Sequence, residues 1–152
     1  MNSKQLLDFV HNDLILKRFV RGVYASNTVP EIVTRYPSAF IINTQPLPHP
    51  GEHWVAVIMH SSSESEFFDS LGKAPGNYQE IENFIYKNSK HCNFKCKRLQ
   101  PSYSDLCGLY VLVFLISRLH LKLSMPRVYA LFSSSIQLND NFVRSFIHEF
   151  LY

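Results

Sequence analysis

A chain of 152 residues with 46% hydrophobic residues has the apolar content for one sizeable core. That excludes a disordered chain or a linker-like polymer. The formal charge of +3, with charged residues at only 18%, permits nucleic-acid contact without demanding it. Three cysteines cannot all pair within the chain, and such sparse usage fits a reducing compartment or a reactive thiol better than a secreted disulfide framework.

Met1-Asn2-Ser3-Lys4-Gln5 opens no signal-peptide pattern. The longest apolar run, residues 106–116, is about half of the roughly 20 residues a membrane span needs. A soluble intracellular domain, 1–152, with no membrane partner is expected.

Leu6, Leu7, Val10 and Leu14 recur at helical spacing, which predicts a first helix from Ser3 into the teens. Residues 19–30 read as irregular or extended chain, punctuated by Gly22 and Pro30. Residues 39–44 form a short apolar strand that runs into a proline-rich loop, residues 46–51. Two further strands, residues 54–59 and 66–69, flank a serine-rich turn and predict an antiparallel hairpin. After Gly72 and Gly76, a helix carries Tyr78, Ile81, Phe84 and Ile85 on one face. Residues 94–99 are expected to form one more strand, bearing Lys95, Lys97 and Arg98.

Residues 106–121 are apolar on nearly every face, so this helix must be surrounded by protein. Pro126 can open a further short helix. Asn139 or Asp140 can cap a last one, whose stripe is Phe142, Val143, Phe146, Ile147, Phe150 and Leu151. The class is therefore α+β: a mixed central sheet with flanking helices and a buried central helix that starts at Cys107.

Phosphate loops, dinucleotide fingerprints, H-E-x-x-H and G-x-S-x-G are absent. His91, Cys92 and Cys96 lack a fourth ligand at zinc spacing, so no metal is expected. Cys107 stands out. It opens the most apolar helix, after Ser104 and Asp105, either of which can cap it, and the helix dipole lowers the pKa of a thiol there. Gly108 lets another segment approach closely.

His53 begins one strand of the hairpin and Asp69 ends the other. They share a face only in an even register, which a short turn through Ser61 to Glu64 permits. The carboxylate can then hold one imidazole nitrogen and leave the other for Cys107. Gln100, seven residues before Cys107, can donate its amide to an oxyanion beside the Cys107 backbone N–H.

These residues sit in three blocks: Gly51-Glu52-His53-Trp54-Val55-Ala56, Phe67-Phe68-Asp69-Ser70-Leu71-Gly72, and the stretch from Leu99-Gln100-Pro101 through Asp105-Leu106-Cys107-Gly108-Leu109-Tyr110. Together they resemble the adenovirus endopeptidase (adenain) family of cysteine proteases, related to the SUMO-deconjugating proteases. The likeness extends to Phe19-Val20-Arg21-Gly22-Val23-Tyr24 and to Ala39-Phe40-Ile41-Ile42-Asn43-Thr44. Asp69 departs from the Glu typical of adenoviral enzymes and matches the SUMO-type ones. This suggests a divergent relative, from a Maverick/Polinton transposon or an adenovirus-like virus.

The resemblance implies a papain-related fold and a Cys107–His53–Asp69 triad, with Gln100 at the oxyanion hole and Trp54 as a wall of the site. It also implies that precursor proteins are cleaved at glycine-containing motifs in a host nucleus or a virion. No cofactor is required for the chemistry, and a monomer is expected. Two alternatives are an isopeptidase for a ubiquitin-like tail and a non-catalytic relative that binds peptide or DNA. Adenains are stimulated by DNA and by a peptide that can join through a disulfide. By that likeness Lys87, Lys90, Lys95, Lys97 and Arg98, five of 15 basic residues, form a candidate polyanion patch, with Cys92 or Cys96 for any mixed disulfide. Such a run is as often a solvated face.

Overall fold

In the computed structural model, which describes residues 1–49 and 53–152, one five-stranded mixed sheet is flanked by helices on both faces. Pro50 and Gly51 of the proline-rich loop, and Gly51 and Glu52 of the histidine block, lie outside the described residues. In chain order the elements are α1 (Ser3–His11), α2 (Leu14–Phe19), β1 (Val20–Tyr24), β2 (Ser38–Asn43), β3 (Trp54–Met59), β4 (Glu64–Phe68) and α3 (Gln79–Asn88). Then follow β5 (His91–Asn93), α4 (Cys107–Leu119), α5 (Met125–Ala130) and α6 (Asn139–Leu151). The α+β class expected from the sequence is the one observed.

The strands lie in chain order, with β1–β2 and β4–β5 parallel and the two central pairs antiparallel. Both faces of β3 are covered, which is why it reads as an unbroken apolar run rather than an alternation. Ala56 and Ile58 join the core under α1, α2, α4, α5 and α6. Val55, Val57 and Met59 join the smaller core under α3. Phe68 of β4 stacks on Phe114 of α4 with ring centres 4.5 Å apart, tying the sheet to the central helix. Among the described residues, no helix is long and apolar enough to cross a membrane.

Four sequence expectations change. The first helix breaks at Asn12, because Asp13 accepts a hydrogen bond from the Leu16 N–H at 2.8 Å and caps a second helix. Residues 20–24 form a strand, since β2 offers them a parallel partner. Residues 94–99 form none; the edge position goes to His91–Asn93 beside β4, and the chain then leaves the sheet to cross Gly72.

The expected side-chain caps of the last two long helices are also absent. Asn139 lies inside α6, where its buried amide donates to the carbonyls of Leu99 and Ser133. Ser104 donates to Asp140 and accepts from the Leu106 N–H.

At the end of the sheet away from Cys107, Glu66 is buried and receives Arg118 Nε at 2.6 Å, Arg118 Nη2 at 2.7 Å and His60 Nε2 at 2.6 Å. Glu66→Ala would leave the half-buried Arg118 guanidinium without its carboxylate, held only by the Leu123 carbonyl. The expected loss is about 1–3 kcal/mol of folding free energy, read as a lower denaturation midpoint with unchanged m-value.

Candidate active site

The four residues singled out from the sequence converge. His53 extends β3 by one residue, its carbonyl receiving the Thr44 N–H at 2.9 Å. The hairpin pairs Val57 with Phe67 and Ala56 with Phe68, an even register. Its continuation sets Asp69 opposite Val55, one diagonal step from His53 on the same face. His53 Nε2 donates to Asp69 Oδ1 at 2.6 Å. That leaves Nδ1 for the hydrogen bond that links the ring to Cys107. All three side chains, and Gln100, are buried.

Asp69 is held on every side. Its Oδ1 also accepts the Leu71 N–H at 2.8 Å, and its Oδ2 accepts the Tyr78 hydroxyl at 2.6 Å. A carboxylate anchored at three points fixes the imidazole ring plane as well as its charge. Tyr78 is a member of the site that the sequence reading missed. Its spacing marks an apolar helix face, and its ring does pack on the α3-side core; only the fold turns its hydroxyl toward Asp69. Burial first, then the Asp69 contact, push its phenol pKa up, so it stays a donor.

Burial opposes a charge on His53, yet the hydrogen bonds to Asp69 and Cys107 and their negative charge outweigh it and raise its pKa to about 9. Burial likewise opposes a thiolate. There the His53 hydrogen bond, the backbone N–H groups of Trp54 and Gly108 and the charge on His53 prevail, so the Cys107 thiol lies below its ordinary pKa. Both shifts favour the imidazolium–thiolate pair over the neutral one, at the start of a 13-residue helix. That helix has no side-chain cap, so no capping side chain competes with an incoming anion for its first-turn N–H groups.

Gln100 is gripped at both ends of its amide. Its Oε1 accepts the Ser70 hydroxyl at 2.6 Å, and its Nε2 donates to the Ser104 carbonyl at 2.9 Å. Nε2 carries a second hydrogen. The Ser70 carbonyl also receives the N–H groups of Leu99 and Gln100, so the residue following Asp69 positions the segment carrying Gln100. Ser104 in turn donates to Asp140, which Tyr110 also contacts at 2.8 Å. Ser70 was legible only as a neighbour of Asp69. Asp140 carried no signal beyond a possible cap.

A cavity of about 450 Å³ is lined by His53, Trp54, Gln100 and Cys107 together with Arg98 and Asp105. Trp54 is buried and its indole donates to the Met1 carbonyl at 3.0 Å. The close neighbours of Gly108 are the side chains of Met1 and Leu6, not a second backbone. The basic residues of the candidate patch have separate surroundings. Lys87 pairs with Glu31, Lys95 lies over the Tyr129 ring, and Arg98 donates to the Gln100 carbonyl. Lys90 donates its backbone N–H to Ser62, and Lys97 donates its own to Lys95. Cys92, Cys96 and Cys107 are all free thiols.

No family model matches the chain, and no curated protein matches it. Similar solved structures include a crystal structure of the ASFV pS273R protease, 22% identical over 66% of this chain and 42% of that one, with a TM-score of 0.40. Another is the central domain of the uncharacterized Lpg1148 protein from Legionella pneumophila, 15% identical over 86% of this chain and 84% of that one, with a TM-score of 0.46. This chain therefore spans less than half the length of the ASFV protease.

Proposed function

We propose that this protein is a cysteine peptidase that cleaves peptide bonds through Cys107, His53, Asp69 and Gln100. The observation that carries the reading is the single imidazole held between a buried carboxylate and a thiol of lowered pKa at a helix start. A structural histidine has no need of that thiol.

In the proposed reaction the Cys107 thiolate attacks the scissile carbonyl carbon, and the carbonyl electron pair moves onto oxygen. The Cys107 N–H and the Gln100 amide receive that oxyanion. The imidazolium of His53 gives its proton to the departing amine as the C–N bond breaks, leaving a thioester. Water then attacks the thioester with neutral His53 taking its proton, and the thiolate leaves. By the adenain resemblance, the substrates are precursor proteins cut at glycine-containing motifs.

The test is digestion of a peptide library by the wild-type protein and by Cys107→Ala, with sequencing of the products. Products made only by the wild type support the reading, and identical products or none in either sample overturn it. Capture by a ubiquitin-like vinyl sulfone without peptide cleavage would convert it to an isopeptidase.

The charge states predict the pH profile. Activity requires a thiolate and a protonated imidazole, so kcat/KM should be bell-shaped. Its acid limb should lie below the ordinary thiol range and its alkaline limb near the His53 value of about 9. The Asp69 carboxylate raises that value. Asp69→Asn should therefore keep partial activity while its alkaline limb moves to lower pH; an unmoved limb would separate Asp69 from the titration.

A further inference from the structure

The cavity over Cys107 contains a cation that the proposed chemistry does not use. Arg98 lines it together with Gln100 and Cys107. Its backbone is seated against Gly72, whose φ is +78°. A Cβ added there would lie 2.6 Å from the Arg98 nitrogen, so the glycine is needed both for its conformation and for this close approach. Nε of Arg98 donates to the Gln100 carbonyl at 2.9 Å, which aims the guanidinium plane. Among the described residues, the four N–H donors on its two terminal nitrogens have no hydrogen-bond partner. The side chain is exposed, and among the described residues it makes no ion pair. Asp105 lines the same cavity without pairing with it.

An exposed arginine on a loop usually swings freely in water. This one is held at its backbone and at Nε, and it lies two residues before the candidate oxyanion donor. A planar donor fork of fixed position matches an oxyanion that accepts two parallel hydrogen bonds, and in an unmodified peptide substrate that group is a carboxylate.

We propose that Arg98 is a specificity-determining residue that binds the side-chain carboxylate of an Asp or Glu close to the scissile bond of the substrate. This rests on the peptidase reading above. It makes the preferred substrate an acidic-flanked peptide, and it gives Arg98 a role separate from polyanion binding.

The test takes a C-terminally amidated peptide that the wild-type protein cleaves and places Glu, Gln or Lys in turn at each of the three positions on either side of the cut. The readout is the Glu-to-Gln ratio of kcat/KM within one enzyme. That ratio cancels any general loss from disturbing the Gln100 carbonyl. At one position the wild type should favour Glu over Gln by roughly five-fold, as for a partly exposed, well-oriented pair. Arg98→Ala should bring the ratio to one, and Arg98→Glu should invert the preference toward Lys. A ratio of one at every position in the wild type, or one that persists in Arg98→Ala, would overturn the subsite while leaving the peptidase reading intact. No Cys107-dependent cleavage of even the neutral peptides would overturn the reading and the subsite together.

Discussion

Cys107→Ala is expected to lower kcat for peptide cleavage by on the order of 10⁶, leaving only the residual rate that the oxyanion hole and binding supply, with the folded state preserved. The sulfur atom is the nucleophile and carries the acyl group through the proposed cycle, so without it no thioester forms. Alanine keeps the helix start and removes one atom from the edge of an open cavity, so the thermal midpoint should change little. His53→Ala should lose activity to a similar extent. Asp69 would still keep the Leu71 N–H and the Tyr78 hydroxyl, so its carboxylate would not be stranded. The double variant should be no worse than either single one, because the two residues act as a unit. Single-turnover kinetics beside circular dichroism would check all three. Cleavage surviving in Cys107→Ala with unchanged products would remove the assignment.

Gln100→Ala should reduce kcat by about 10²–10³ with little change in KM, the usual loss for one preorganised donor to an oxyanion. The physical reason is that the amide is already oriented by Ser70 and Ser104 before any substrate arrives. No reorganisation is then needed as charge develops. The same substitution leaves the buried Ser70 hydroxyl without its acceptor, at a cost of roughly 1–3 kcal/mol in stability. Activity should therefore be compared well below the lowered thermal midpoint. Ser70→Ala supplies the control: it loosens the amide without removing it and should cost less activity than Gln100→Ala. Equal losses in the two would show that Gln100 acts by holding the loop.

Much of this protein was legible from local pattern. The continuous apolar run of residues 54–59 and the all-round apolar helix from Cys107 reflect elements buried on every side, which sequence reports directly. The parity of the hairpin was also within reach, because side chains alternate along a strand and the serine turn is short. That parity is what puts His53 and Asp69 on one face.

Other features depended on partners far away in the chain. Nothing local distinguishes residues 94–99 from a strand; they are excluded from the sheet because β4 takes His91–Asn93 as its edge and the chain then runs across Gly72. The break at Asn12 follows from Asp13, which caps α2 and also accepts from His120 at 2.7 Å, a contact spanning most of the chain. Tyr78, Ser70 and Asp140 join the site through hydroxyl, carbonyl and carboxylate hydrogen bonds, which leave no periodicity to read. Sequence alone therefore determined the elements buried on every side and the four residue types that suit thiol chemistry, since both depend on neighbours in the chain. Tertiary structure alone decided their orientation and the seat of Arg98, because a hydrogen bond depends on distance and angle between segments that sequence spacing does not encode.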